Sequence, residues 1–342
     1  MFPIGKLPND YLAHLLTNLP VKDKSVVLGP GVGRDCAVLD LGGDQLLVAK
    51  SDPITFATDE IGWYAVHINA NDIVTTGATP RWFLSTILLP LGTETAAIDK
   101  IFADIQAACT ELKVTVIGGH TEITHDLKRP IVLGSMLGLV PRDRLILPTG
   151  ARPGDAIILT KRLAVEATSI LARERYLELA AGLGTDYLDR CKNFLHVPGI
   201  SVAADARIAI AAGGTAAGRG VHAMHDPTEG GLATALNEMA TAAGVNLTID
   251  GAVVPTYPET RALCNRYHLD LWGVIASGSL LIAADVVDAR RIVTALRDAN
   301  IDATVIGRVT GKSDDPTVYV KQRDELRPIP RFVRDEIAQL FE

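Results

Sequence analysis

Apolar positions recur along this chain in two rhythms, and the switches between them mark its elements. Tyr11 to Leu19 reads as an amphipathic opening helix, and after the turn-rich GPGVGRD the stretches CAVLDL and QLLVAK read as paired strands. In VHINANDIVTTGATP, Val66, Ala70, Ile73 and Gly77 recur at spacings of three and four, so one helical face packs inward, and Gly77 followed by Pro80 supplies a stop. STILLP predicts a strand. Ala97, Ile98, Ile101, Phe102, Ile105, Ala108 and Leu112 predict a strongly amphipathic helix, and VTVIGG and PIVLGSMLGLV two more strands.

ARPGDAIILT has the character of a fresh start, a Pro-Gly turn and a new apolar strand after the basic RDRLILPTG. This places a first domain at 1–150 and a second at 151–325, with a polar tail helix in 326–342, near Phe332 to Phe341. The second domain repeats the alternation. Helices are predicted near Leu163–Arg173, Ser201–Ala212, Gly230–Ala243 and Asp288–Ala299, and strands at VNLTI, SLLIAA, ATVIGRV and TVYVK.

Composition narrows the function classes. At 342 residues each domain can bury its own core, and 48% hydrophobic residues with only 5% aromatics imply small-residue packing and tight turns. A formal net charge of −7 argues against a nucleic-acid or anionic membrane surface as partner. Cys36, Cys109, Cys191 and Cys264 form no C-x-x-C pair, which suits reduced thiols. MFPIGKLPND lacks a secretory pattern and IASGSLLIAADVV is too interrupted to span a bilayer, so the expected location is cytoplasmic.

The chemistry concentrates in four acidic positions. Asp72 lies in the inward-packing helix, where an ionised carboxylate needs a cation or donors. Asp35 follows Gly29, Gly31 and Gly33, Asp52 ends the strand QLLVAKS, and Asp226 precedes Pro227 and TEGGLATALNEM. Carboxylates at such element mouths can hold Mg²⁺, a hard cation that leaves positions for phosphate oxygens. Each also has a plainer reading: local backbone bonding for Asp72, a turn for Asp35, a solvated strand end for Asp52, a helix N-cap for Asp226.

Glycine-rich stretches supply the complementary half. IGGHTEIT leaves a strand into Gly118 and Gly119, whose backbone N–H groups can meet an anion, with Thr121 adding a hydroxyl and His120 a donor; TEGG, with Gly230 and Gly231 at a helix start, offers a second anion site. Carboxylates and phosphate-friendly loops together suggest a Mg²⁺-nucleotide. Gly311-Lys312-Ser313 is not a P-loop, because Ile306 stands where its first glycine belongs, and GPGVGRD runs into a strand rather than the helix of a dinucleotide fingerprint. His222 and His225 have a chelating spacing but no cysteine or third histidine close by, so an ordinary loop role is the reading for them. Lys50, beside Asp52, is a candidate catalytic cation, as is His120; a surface lysine at a strand end is the plain alternative.

GPGVGRDCAVLD, AKSDPITF, IGWYAVHINANDIVTTGATPR, IGGHTEIT and HDPTEGGLATALNEMA appear in the order found in the aminoimidazole ribonucleotide (AIR) synthase-like superfamily, and the resemblance is nearest to the hydrogenase expression/formation, HypE-type, proteins. It implies an α/β N-terminal domain whose strands form a barrel across a homodimer, an α+β C-terminal domain, and ATP in the cleft between. Carried over by position, it makes Asp35, Asp52, Asp72 and Asp226 Mg²⁺-ATP carboxylates and Gly118–Thr121 a phosphate loop, with Asn69 and Asn71 supporting the loop or helix geometry. Two departures stand out. The chain ends AQLFE, without the terminal cysteine of cyanide-forming members, and reads Ala276-Ser277-Gly278 where they carry Asn-Glu-Gly. The expectation is therefore ATP-dependent phosphorylation of an oxygen on a small-molecule substrate; the alternative is a non-catalytic nucleotide-binding maturation or regulatory factor with a protein partner.

Overall fold

The structure is a computed structural model that describes residues 2, 5–214, 219–323 and 325–341. Its contacts divide the chain into two compact units, one made of 22–29 and 35–145, the other of 1–21, 30–34 and 146–342. The opening helix α1 (Asn9–Thr17) belongs to the larger unit and has no buried residue.

The smaller unit is a six-stranded sheet carrying two helices. Its elements are β1 (Val26–Leu28), β2 (Ala37–Leu39), β3 (Gln45–Ile54), α2 (Ile61–Thr75), β4 (Thr79–Leu89), α3 (Thr95–Leu112), β5 (Thr115–Ile123) and β6 (Ile131–Pro141), in the sheet order β1-β2-β3-β6-β4-β5. The β6 sequence alternates buried and half-exposed positions along its length, the period-2 signature of a strand with one covered face. That face is covered by α2, which is buried on almost every side: of its residues only Trp63 is not fully buried. The one-faced helix expected from its spacing is thus a central helix, packed on β3, β4 and β6 below and α3 beside it. Gly62 is required there, since a Cβ would lie 2.4 Å from the Ile101 carbonyl of α3.

Gly77 ends α2 as expected, with φ +80 and its N–H on the Val74 carbonyl. Pro80, by contrast, lies inside β4, at a place where the register to β6 shifts between Pro80 and Trp82, so the missing N–H falls at a bulge. The glycine stretch Gly118–Thr121 is not a loop. It continues β5, an edge strand paired in parallel with β4 and exposed at all nine positions.

The larger unit holds a second sheet, in the order β13-β12-β9-β11-β7-β10-β8, from β7 (Ala156–Thr160), β8 (Val221–His225), β9 (Val245–Asp250), β10 (Leu281–Ala284), β11 (Ala303–Lys312), β12 (Val318–Gln322) and β13 (Glu325–Pro328). Among the described residues only the β12–β9 pairing of this sheet is parallel. Its helices are α4 (Val165–Glu174), α5 (Tyr176–Leu183), α6 (Thr185–Lys192), α7 (Ala203–Ala212), α8 (Gly231–Ala243), α9 (Pro258–Arg266) and α10 (Val286–Asp298). All residues of β7 and β10 are buried, which accounts for their unbroken apolar runs. Where a tail helix was expected the chain forms β13 and then a single 3₁₀ stretch, Glu336–Leu340. Neither sheet closes on itself among the described residues, and no described helix is long and apolar enough to cross a membrane.

Candidate functional site

In the smaller unit the predicted carboxylates meet around a lysine. Lys50 is on β3, where the extended backbone sends its side chain to the α2 side, and its Nζ lies 3.0 Å from Asp72 Oδ2 and 3.5 Å from Asp52 Oδ2. Burial alone would lower the Lys50 ammonium, but the charges of Asp72, Asp52 and Asp35 outweigh it and hold the group well above its ordinary value. Asp72 is 2% exposed. Asp72 is therefore not on the wet side, and Lys50 is no surface lysine.

Asn69 and the glycines around it shape this corner. One turn before Asp72, Asn69 donates through Nδ2 to the Ala65 carbonyl at 2.8 Å and to the Asp52 carbonyl at 3.2 Å, tying α2 to the end of β3. Its Oδ1 is buried with no hydrogen-bond partner in the structure. Across the sheet, Asp52 pairs with Gly134, Gly134 with Ser85, and Ser85 with Gly119. This row is kept small for a reason. A Cβ on Gly134 would stand 2.2 Å from Asn69 Nδ2, and one on Gly119 2.1 Å from the Ser85 carbonyl. His120 and Thr121 follow on the exposed strand, with His120 Nε2 3.1 Å from Glu122 Oε2. That hydrogen bond holds the Glu122 carboxyl below its ordinary value.

The larger unit carries the remaining expected residues. Asp226 follows β8 directly and is 1% exposed. It is not the N-cap of α8: that position is Gly230, four residues later, with φ +79. The amides at this helix start already have acceptors. Gly230 N–H donates to Asp335 Oδ2 at 2.7 Å, Gly231 N–H to the Thr228 carbonyl at 3.0 Å, and Ala233 N–H to the Trp272 carbonyl at 3.0 Å. Gly231 fits only because it lacks a Cβ, which would lie 2.6 Å from the Trp272 carbonyl.

His222 and His225 are not a chelating pair but partners of different carboxylates, His222 Nδ1 at 2.8 Å from Asp155 Oδ1 and His225 Nε2 at 3.0 Å from Glu238 Oε2. Two acidic residues of this unit were not anticipated. Glu166, in the first turn of α4, is fully buried and pushed up to about 8 by burial, the Asp335 and Glu229 charges adding to it. Asp335 is pushed up to about 7 by burial, against the amides of Ile337, Gly230 and Ile275. Asp335 was findable, as an Asp before an apolar turn whose side chain accepts from the second amide on. Glu166 had no sequence signal, because in a ten-residue helix a glutamate reads as solvent-facing.

The AIR synthase related N-terminal domain model matches residues 33–140, and the corresponding C-terminal domain model matches 152–320. The chain belongs to the AIR synthase related family. Carbamoyl dehydratase HypE of Cupriavidus necator is 29% identical to it over 300 residues, covering 85% of this chain and 80% of that protein. Among solved structures, a hydrogenase maturation protein HypE in complex with ATP superposes with TM-score 0.66 at 23% identity, over 96% of this chain and 98% of that one. Thiamine monophosphate kinase from Aquifex aeolicus gives TM-score 0.68 at 18% identity, over 91% and 96%. One fold thus hosts both a dehydratase and a kinase, so architecture alone does not fix the reaction.

Proposed function

We propose that this protein binds Mg-ATP at the Lys50 cluster and transfers a phosphoryl group to an oxygen of a small substrate, acting as a homodimer. The observation that carries the reading is the placement of Lys50 Nζ within 3.5 Å of both Asp72 and Asp52, with the charge of Asp35 also reaching that lysine. Three carboxylates against one ammonium leave an excess of hard, anionic oxygen donors, and Asn69 Oδ1 adds a buried acceptor; this donor set fits Mg²⁺. When bound, Mg²⁺ supplies neutralisation of the triphosphate's charge. The chain's own parts do the positioning. Lys50, kept protonated by its neighbours, offsets phosphate charge; Asn69 fixes the end of β3; the backbone of Gly118 and Gly119, with His120 and Thr121, meets phosphate oxygens. In the larger unit, taken by itself, Asp226 is a buried carboxylate suited to a hard cation, whereas the Gly230 and Gly231 amides are taken up by Asp335 and the Thr228 carbonyl.

The name of the Cupriavidus necator relative favours a second reading, ATP-driven dehydration of a carbamoyl group. Against it, all four cysteines of this sequence are buried, and burial pushes the Cys109 and Cys191 thiols to about 11 and Cys264 to about 12. Calorimetric titration of Mg-ATP into the wild type and Asp72→Asn, followed by mass spectrometry of a phosphoryl-acceptor panel, tests the proposal. Weakened Mg-dependent binding in the variant and a phosphorylated small molecule are expected; equal affinity removes Asp72 from the site, and binding without turnover makes the chain a nucleotide-binding factor.

A further inference from the structure

Two polar atoms inside the larger unit are left without hydrogen bonds, and they belong to adjoining residues. Glu166, in the first turn of α4, is 4% exposed and Ser277 is 1% exposed; neither Glu166 Oε2 nor Ser277 Oγ has a hydrogen-bond partner among the described residues. Glu166 N–H donates to the Ser277 carbonyl at 3.2 Å, and the Ser277 hydroxyl and amide both act on the Glu166 carboxyl in the sense that favours its ionised form. A buried carboxyl oxygen beside a buried hydroxyl, both unpaired, destabilises the empty fold and asks for a partner.

The frame around the pair is fastened on both sides. Ala276 N–H donates to the Thr228 carbonyl at 3.3 Å, the Gly278 carbonyl accepts from Lys161 Nζ at 2.8 Å, and Ser279 Oγ donates to the Arg162 carbonyl at 2.8 Å. Gly278 has φ +105, and a Cβ there would stand 3.0 Å from Val165 Cβ, so the segment carrying Ser277 lies close against the start of α4.

Electrostatics select what the pair can take. Asp335 and Glu229 both place negative charge toward Glu166, which disfavours a phosphate, a carboxylate or any other anion. Lys161 does not neutralise this niche: its Nζ donates to the Ser201 and Gly278 carbonyls at 2.7 and 2.8 Å and to Asp205 Oδ2 at 3.3 Å, so its three donors are engaged. Among the described residues Glu166 belongs to no group of three His, Cys, Asp or Glu close enough to share a metal ion. What fits is a cation that itself donates hydrogen bonds, one N–H to the carboxylate and one to the hydroxyl oxygen.

We propose that Glu166 and Ser277 form a binding site in the larger unit for the ammonium group of a small molecule, Glu166 supplying the counter-charge and Ser277 Oγ a second acceptor. The site goes beyond the Mg-ATP reading and does not depend on it, since it uses residues of one unit alone. Its occupation carries a proton signature. The empty carboxyl, pushed up to about 8 by burial, holds a proton at neutral pH; an ammonium beside it makes the ionised form the stable one, so that proton leaves to solvent as the ligand binds.

Calorimetric titration of methylammonium chloride into the full chain at neutral pH, in two buffers of different ionisation enthalpy, reads affinity and proton release together. Potassium chloride at equal concentration is the control for a simple ion, and wild type, Glu166→Gln and Ser277→Ala are compared. The expected results are saturable methylammonium binding with release of about one proton per ligand, binding weakened about tenfold or more in Glu166→Gln with the release gone, and binding weakened about threefold or more in Ser277→Ala with the release kept. No binding of methylammonium to wild type, equal binding of potassium, or wild-type affinity in both variants overturns the site, and each leaves the Mg-ATP reading untouched. The wild-type titrations need no variant to fold, and Ser277→Ala removes a single hydroxyl oxygen.

Discussion

Lys50 Nζ lies 3.0 Å from Asp72 Oδ2 inside the smaller unit, with side chains only 12% and 3% exposed. The lysine balances carboxylates that cannot otherwise face one another, so its loss leaves buried charge uncompensated. Lys50→Met is expected to destabilise the protein by about 3–5 kcal/mol in the absence of divalent ions. Added Mg²⁺ should recover part of that loss, because a cation can take the place the ammonium vacates. Thermal unfolding with and without Mg²⁺ measures this; a variant that Mg²⁺ stabilises no more than wild type argues against the cluster as a metal site.

Glu166 makes stability fall as pH rises. Its folded-state value is about 8 against an ordinary 4.5, so the native protein holds a proton that the unfolded chain has released, and the contribution present below pH 4.5 is lost as pH climbs through about 8. Glu166→Gln should flatten this slope and raise the melting temperature most at pH 8 and above, the region of the folded-state value. Asp335 adds a slope of the same sign between 3.8 and about 7. Melting curves across this range in which wild type and Glu166→Gln run parallel would contradict the assignment.

The uncovered face of the first sheet predicts association. Leu41, Leu47, Trp82, Leu137 and Leu139 line an open apolar hollow there, and the edge strand β5 exposes Val116, Ile117 and Ile123. A dimer is expected in sedimentation at micromolar concentration, and Trp82→Glu should shift it toward monomer. A wild-type monomer would exclude the barrel built across two copies.

The buried thiols predict chemical silence. Mixed with carbamoyl phosphate, ATP and a carbamoyltransferase, the native chain should gain no carbamoyl mass, since Cys36, Cys109, Cys191 and Cys264 are all out of reach. An adduct on any of them, seen by intact-protein mass spectrometry, would restore carbamoyl dehydration as the reaction.

Where one rhythm held over a long stretch, the sequence was readable. The eighteen residues of α3 and the alternating β6 were recognisable because each meets a single apolar layer. Short elements between turns escaped: β8, α5 and α6 carry too few residues for a period to declare itself. Gly118–Thr121 was misread as a loop because glycine usually breaks a strand; here the neighbouring Ser85 carbonyl requires it. Asp35 and Asp52 were visible as acids at element ends, Asp72 as an acid inside an inward-packing helix, and Lys50 as a cation beside one of them. That Lys50 would bind Asp72, across an intervening turn and helix, depended on the packing of α2 over β3, which no local pattern records.

The central placement of α2 ties chemistry to integrity. A functional carboxylate on an outer loop can be lost by local loosening while the rest of its domain survives, so heat inactivation precedes melting. Asp72 lies instead in a helix with protein on nearly all sides, and nothing short of dismantling the sheet beneath it can release that helix. Loss of nucleotide binding on warming should therefore coincide with collapse of this unit, leaving no folded but incompetent form in between.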